Sequence, residues 1–217
     1  MFLAIILGSL GFILYQILSF LGGTSSAARQ FRKDLRMLRR QLGDFREGLI
    51  PFDMEEYRIA SSSPVIKYKR RGSATIVRGF LSTIYQEPIM AFALKDQLRH
   101  NRLMLVTESE SDEFIFVLRD KETLVKHNGK DLGSINEAGQ LRDTNGAVIG
   151  QLNDSDNVSY QKIIVSDRDV AHMNVYDNGA SSESDRMFSL FHDFLPEDHE
   201  EVLALSLYNL LIKPRLA

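Results

Sequence analysis

The first residues of the chain form an apolar run that is long enough to cross a membrane. Phe2 to Leu21 carries no charged side chain and is interrupted only by the polar residues Ser9, Tyr15, Gln16 and Ser19. A bilayer core needs about 20 apolar residues in a helix, so this length favours a span over a buried core helix. We therefore predict a transmembrane anchor over residues 1–22.

Basic residues follow the apolar run and predict its orientation. They are Arg29, Arg32, Lys33, Arg36, Arg39 and Arg40. Because basic flanks stay in the cytoplasm, we expect an inner or plasma membrane protein with its N-terminus outside and its C-terminal domain cytoplasmic. A cleaved signal peptide is the alternative, since Gly22 and Gly23 lie in a small-residue stretch, but the N-terminus lacks the basic residues of such a signal.

Residues 23–50 contain a heptad pattern that predicts a coiled-coil stalk. The apolar positions alternate at spacings of four and three, at Phe31, Leu35, Leu38, Leu42, Phe45 and Leu49. Such a seam predicts a homo-oligomer or pairing with a partner membrane protein. Two alternatives remain open: the amphipathic helix lies on anionic lipid through its six basic residues, or it packs on its own domain.

Residues 51–217 have the pattern of one β-rich domain. Short apolar runs alternate with turn residues and predict twelve strands. The strands are Val65–Tyr68, Ala74–Phe80, Met90–Leu94, Leu103–Thr107, Glu113–Leu118, Thr123–Lys126, Asp131–Ile135, Gln140–Arg142, Val148–Leu152, Ser159–Val165, Val170–Tyr176 and Arg186–Phe191. We expect hairpin connections and a curved, antiparallel, β-barrel-like sheet.

Turn chemistry supports the hairpins. Asn128-Gly129, Asn145-Gly146 and Asn178-Gly179 each suit a two-residue type I′ turn, which needs positive φ at both positions. Two of these turns begin a repeat in which a second glycine, Gly133 or Gly150, falls within a strand. A glycine there indicates a bulge that curves the sheet. The acidic turn Glu108–Glu113 is interpreted as a solvated loop.

The chain ends in a segment with a helical pattern. Pro196 and the acidic residues at 197, 198, 200 and 201 are typical of a helix start, and Val202 to Ile212 is then apolar on nearly all sides. A segment of this length is too short to span a bilayer, so we predict that it is buried within the β structure.

The strands with their glycine-containing hairpins, followed by the segment Met187-Phe-Ser-Leu-Phe-His-Asp-Phe-Leu-Pro-Glu-Asp-His-Glu-Glu-Val-Leu-Ala-Leu-Ser-Leu-Tyr-Asn-Leu-Leu-Ile212, resemble the tubby-like superfamily, which includes phospholipid scramblases and LURP-one-related proteins. The resemblance implies a β-barrel threaded by a C-terminal apolar helix. It also implies a lipid-binding or lipid-handling role that engages anionic phospholipid.

The sequence gives little sign of catalytic chemistry. The absence of cysteine excludes thiolate nucleophiles and thiolate metal sites. The glycines lack the Gly-Lys-Ser/Thr ending of a phosphate-binding loop, and no serine elbow occurs. His192, Asp193, Asp198, His199 and Glu200 cluster near the final helix, but Pro196 separates the two histidines, so helix capping is the simpler interpretation. We predict no catalytic, cofactor or metal site.

A second basic cluster lies at Lys67, Lys69, Arg70 and Arg71. It could contact lipid, an acidic partner or RNA, but lysines commonly protect an exposed edge strand, so we expect no nucleic-acid partner. The prediction for the whole chain is a non-enzymatic single-pass membrane protein whose cytoplasmic β domain is an interaction or scaffold module. The alternative is a tubby-like lipid-binding protein.

Overall fold

The structure is a computed structural model that describes residues 28–71, 74–97, 102–119, 121–154, 160–174, 186–192 and 194–216. The predicted anchor, residues 1–22, lies outside this range and stays a prediction. Within the described residues, no helix is both long enough and apolar enough to cross a bilayer. The chain divides into two compact units between Met37 and Leu38.

In the first unit the described residues, 28–37, are helical, and this helix, α1, continues to residue 46 in the second unit. The helices of the second unit are α2, Met54–Ile59, and α3, His199–Leu207. Its strands β1 to β12 are Val65–Arg71, Ala74–Ser82, Pro88–Gln97, Arg102–Glu108, Glu113–Arg119, Glu122–His127, Lys130–Asn136, Gln140–Arg142, Val148–Asp154, Tyr160–Val165, Arg168–Asn174 and Phe188–Phe191.

The described strands form one antiparallel sheet in which each strand pairs with the next along the chain. Each of the twelve predicted strands has a counterpart in the structure, with ends that differ by a few residues. Ser159, Val175 and Tyr176 of the predicted strands lie outside the described residues. Period-two alternation with turn residues between strands is a strong signal for hairpins. The sheet is open in its strand order. Residues 60–61, before β1, form hydrogen bonds on both sides, since the Ser61 amide donates to the Ser82 carbonyl at the end of β2 and the Met187 amide, just before β12, donates to the Ala60 carbonyl at 2.6 Å.

The turns follow the predicted chemistry only in part. Asn128 and Gly129 both have positive φ, as a type I′ turn requires. The two-residue prediction is wrong for Asn145-Gly146, because the Asp143 carboxylate accepts from the amides of Asn145 and Ala147 and stabilises a longer turn. Asn178-Gly179 lies outside the described residues. Ser166 and Asp167, both with positive φ, form a tight turn that the prediction missed.

The glycine bulges are confirmed. The pairing register of β6 and β7 shifts beside Gly133, and that of β8 and β9 shifts beside Gly150. Gly150 also lets the sheet approach α3 closely, since a Cβ atom there would lie 3.1 Å from Cδ1 of Leu205. Gly150 therefore couples the curvature of the sheet to the packing of the core, whereas Gly133 allows a close approach to the backbone of Arg142.

The C-terminal helix is confirmed and lies in the main core. Every residue from Val202 to Tyr208 is buried, and Leu205 has no exposed surface. Beyond Leu207 the helix widens into a π-helical turn, Tyr208–Ile212, and ends in a short 3-10 turn, Lys213–Arg215. Burial on all sides explains why the apolar residues of this segment show no single face.

The opposite face of the sheet carries a second buried surface. Leu103 and Leu105 face the main core, so alternation along β4 turns Met104 and Val106 outward, yet both are buried. Further outward-facing buried residues are Ile76, Ala91, Ala93 and Ile115. The small alanines leave room for a helix to pack here.

Candidate functional site

The part of α1 from Leu38 onward is fastened to this outward face by charged contacts. Arg39 binds Glu113 of β5 through two hydrogen bonds of 2.7 Å each, and Arg46 pairs with Glu108 of β4 at 2.8 Å. Asp44 accepts from Arg78 of β2 at 2.7 Å. Exposed ion pairs stabilise a fold by only about 0–1 kcal/mol each, so they orient the helix more than they hold it.

Apolar burial supplies most of the attachment. Leu38 and Leu42 have no exposed surface, and the Phe45 ring lies 5.9 Å from the ring of Phe80 on β2. Leu49 is half-buried just after the helix. Three of the six predicted seam residues, Leu38, Leu42 and Phe45, therefore pack on their own chain, which is the second alternative left open by the sequence. Self-association through Phe31 and Leu35 stays a prediction.

The other side of the basic helix is exposed. In the first unit Arg29, Arg32, Lys33 and Arg36 are exposed at spacings of three and four, which places them on one side of the helix. None of these four side chains has an ion-pair partner among the residues that the structure describes. We call these four residues the basic stripe. In the second unit Arg40 is also exposed, whereas Arg39 forms an ion pair with Glu113.

A network of polar side chains surrounds the N-terminus of α3, and Asp112 lies at its centre. This residue of the β4–β5 loop is buried. Its Oδ1 atom lies 2.7 Å from Nε2 of His127, and its Oδ2 atom accepts from Ser111 at 2.6 Å and lies 3.4 Å from Nε2 of His199. The predicted solvated loop is therefore wrong at Asp112, because four side chains, including Ser109 at 3.4 Å, replace water around its carboxylate.

His199 continues the network into the domain. Its Nδ1 atom lies 3.0 Å from the hydroxyl of Tyr57 on α2, a phenol that is buried. Burial raises the pKa of Tyr57, and the charge of Asp112 raises it further, so the phenol keeps its proton. The other ring nitrogen of His199 faces Asp112, so the His199 side chain bridges α2 and the β4–β5 loop.

The same contacts hold Asp112 in its ionised form. The hydrogen bond with His199 lowers the pKa of Asp112, and those with Ser111 and His127 add to this effect. Burial acts in the opposite direction but is outweighed, so the pKa lies well below its usual range. A permanently charged, buried carboxylate consequently joins α3 to β6 and the β4–β5 loop.

Acidic residues of the final helix are less solvated than a capping role predicts. Asp198 is buried, accepts from the Leu195 amide at 2.9 Å and pairs with Arg168 at 2.6 Å. Burial raises the pKa of Glu201, and the charges of Glu200 and Asp198 raise it further. The Oε2 atom of Glu201 has no hydrogen-bond partner in the described structure.

The histidines considered together in the sequence lie in two different groups. His199 belongs to the Asp112 network, whereas the ring of His192 lies 5.4 Å from that of His172, which stacks on Tyr160 at 4.7 Å. Asp193 lies outside the described residues. In the described ranges, no three histidine or acidic side chains are arranged to hold a metal ion.

The sequence contains one signal for the Asp112 network that the prediction did not use. The buried positions of β6 alternate, at Thr123, Val125 and His127, so the histidine occupies a place where an apolar residue is usual. A polar residue at a core-facing position needs a buried partner. Asp112 and His199 could not be identified as those partners, since they are distant in sequence and the loop of Asp112 looks solvated.

Comparison of the chain with protein-family models, curated proteins and solved structures gives no match. The resemblance to the tubby-like superfamily accordingly stays a prediction, and function is argued from the chain's own surfaces.

Proposed function

We propose that the protein is a single-pass membrane protein of the inner or plasma membrane whose cytoplasmic β domain acts as an interaction module in a membrane assembly. The observation that carries the proposal is the contrast within α1. Arg39 and Arg46 are held by Glu113 and Glu108, whereas the basic stripe is exposed and has no acidic partner among the described residues. Exposed cations beside a membrane attract acidic lipid or acidic protein surfaces.

The burial of Leu38 and Leu42 supports a specific role for the helix. Since these residues pack on their own chain, a second copy or a partner membrane protein would meet α1 through its first described residues, near Phe31 and Leu35. The position of these residues directly after the predicted anchor would bring the partner to the membrane surface. Non-enzymatic assembly is the function that these surfaces favour.

A photo-reactive residue tests this proposal in native membranes. At Arg36 we expect cross-links to a second copy or to another membrane protein, and co-expression of two differently tagged chains distinguishes these products. At Leu42, the matched buried position, we expect only cross-links within the chain. Absence of intermolecular products at Arg36 would contradict the interaction role.

A second candidate function is tubby-like binding of anionic phospholipid. It is favoured by the described meander of twelve strands, by the buried α3, and by residues 60–61, whose hydrogen bonds reach both the end of β2 and the residue before β12. We infer that the sheet is barrel-like. The resemblance implies lipid handling for this arrangement, and the basic stripe offers an additional lipid contact.

Vesicle co-sedimentation separates the two functions. The test uses residues 24–217, because a fragment that begins after the helix would lose the buried Leu38 and Leu42. Binding that requires anionic lipid and survives replacement of the stripe by glutamine would support a site on the β domain. Binding that the replacement abolishes would reflect the stripe alone. If the protein binds neither anionic nor neutral vesicles, the lipid-binding function is contradicted and the interaction module is supported.

A further inference from the structure

His127 is placed between two carboxylates from different parts of the fold. Its Nε2 atom lies 2.7 Å from Oδ1 of Asp112 in the β4–β5 loop, and its Nδ1 atom lies 3.1 Å from Oε2 of Glu200 on α3. A neutral imidazole has one donor and one acceptor, so it satisfies only one of two carboxylates. An imidazolium satisfies both.

We propose that His127 is a proton-dependent clasp, whose imidazolium form fastens the N-terminus of α3 to the sheet and whose deprotonation loosens that contact. The clasp is independent of the membrane role proposed above. It joins three elements, because His127 ends β6, Asp112 precedes β5 and Glu200 lies in the first turn of α3. Protonation of His127 thereby controls the contact between the first turn of α3 and the end of β6.

Two further residues contact His127. The ring of Phe114 stacks on His127 with centroids 4.5 Å apart, and an aromatic face attracts a cation. The side chains of His127 and Asp112 are buried, whereas the Glu200 side chain is 49% exposed, so water reaches only the Glu200 end of the contact. The Nδ2 atom of Asn128 also lies 3.1 Å from Nε2, but this amide has the Ser111 carbonyl as an acceptor at 3.4 Å.

The other ionisable groups near His127 are not its hydrogen-bond acceptors. On β5, Glu113 is bound to Arg39. On β7, Lys130 is the cross-strand neighbour of His127 and is exposed. Lys126, next along β6, pairs with Asp131.

On α3 the remaining neighbours are His199 and Glu201. His199 approaches Asp112 with one ring nitrogen and the Tyr57 hydroxyl with the other. The Glu201 carboxyl has a raised pKa, chiefly because it is buried. The two histidines differ in their partners, since His199 meets one carboxylate and one phenol and His127 meets two carboxylates.

The sign of the pH dependence follows from the proton requirement. The folded state holds the imidazolium through two carboxylates, while the unfolded chain offers none at fixed positions. The stabilisation therefore requires the bound proton, so it weakens as the pH rises and the imidazolium is lost. Asp112 remains ionised throughout, because its pKa lies well below its usual range.

Nitrogen-15 spectra of the histidine-labelled full chain in detergent micelles test the clasp. At pH 6.5 we expect both ring nitrogens of His127 to carry protons, and Glu200→Gln should leave one of them unprotonated. The matched control is Glu197→Gln, an exposed acidic residue just before α3 with the same change of charge.

Amide hydrogen exchange provides the conformational readout. Raising the pH from 6 to 8.5 should lower the protection of the first amides of α3 about fivefold beyond the intrinsic change, and Glu200→Gln should abolish that pH-dependent part. A His127 ring that is neutral at pH 6.5, or protection that depends on pH equally in both proteins, would overturn the proposal.

Discussion

A chain that ends at Leu195 is expected to lose the cooperative melting of the β domain. The removed segment contains α3 and the π-helical turn, and its apolar side chains belong to the main core of the β domain. Those that are buried are Val202, Leu203, Ala204, Leu205, Leu207, Tyr208, Leu211 and Ile212. Burying one large apolar side chain contributes about 1.5–3 kcal/mol, so together they account for about 10 kcal/mol or more, which is comparable to the total stability of a domain, about 5–15 kcal/mol.

A single substitution tests the burial of α3 with a smaller expected loss of stability. Leu205→Ala should lower the free energy of unfolding by about 2–5 kcal/mol, since Leu205 is completely buried and its cavity cannot collapse against the rigid sheet near Gly150. Leu216→Ala is the control, because Leu216 is 39% exposed and should change stability by less than about 0.5 kcal/mol. Circular dichroism melts of the detergent-solubilised chain measure both. A truncated chain with an unchanged β-type spectrum and a cooperative melt would place the helix outside the core.

Leu42→Asp is expected to detach α1 from the outward face of the sheet. Leu42 has no exposed surface, and an unpaired charge at a buried position costs about 3–5 kcal/mol. The segment of α1 from Leu38 onward relieves this cost by leaving the sheet, since protonation of the buried carboxyl would still leave a polar group without a partner. Its departure would break the contact of Arg39 with Glu113. Trypsin should then cleave after Arg39 and Arg40 much faster than in the unsubstituted chain, and the melting temperature should fall.

Gly43→Asp is the matched control for this experiment. It introduces the same carboxylate one residue further along α1, at an exposed position where an added Cβ atom would meet no other atom within 4 Å. We expect resistance to trypsin and a melting temperature close to those of the unsubstituted chain. Equal resistance of the Leu42→Asp chain would mean that the seam is available for another helix.

The sequence predicted the strands well but left the location of α1 open among several alternatives, for one physical reason. Alternation along a strand depends on which face is buried, and hairpin turns depend on local chemistry, so both are encoded in neighbouring residues. The seam of Leu38 and Leu42 shows only that one side of the helix is apolar. It carries no information on whether a second helix or the chain's own sheet covers that side.

The features that the sequence did not predict differ in the same way, because some have a local signal and others depend on residues that are distant in sequence. Helix α2 has a local signal, since Asp53 accepts from the Glu55 amide and Glu56 accepts from the Asp53 amide as a capping box, but its six residues give little periodicity. Asp112 has no local signal. Its burial depends on His127 and His199, which only the fold brings within hydrogen-bond distance.

Membrane topology tests the central claim most directly, and the absence of cysteine from the chain makes the measurement clean. Thr144→Cys introduces one thiol at an exposed turn of the β domain. A membrane-impermeant maleimide should leave this thiol unlabelled in intact cells and label it after permeabilisation, whereas Phe2→Cys should react in intact cells. Labelling of Thr144→Cys in intact cells would contradict a membrane-anchored protein with a cytoplasmic β domain.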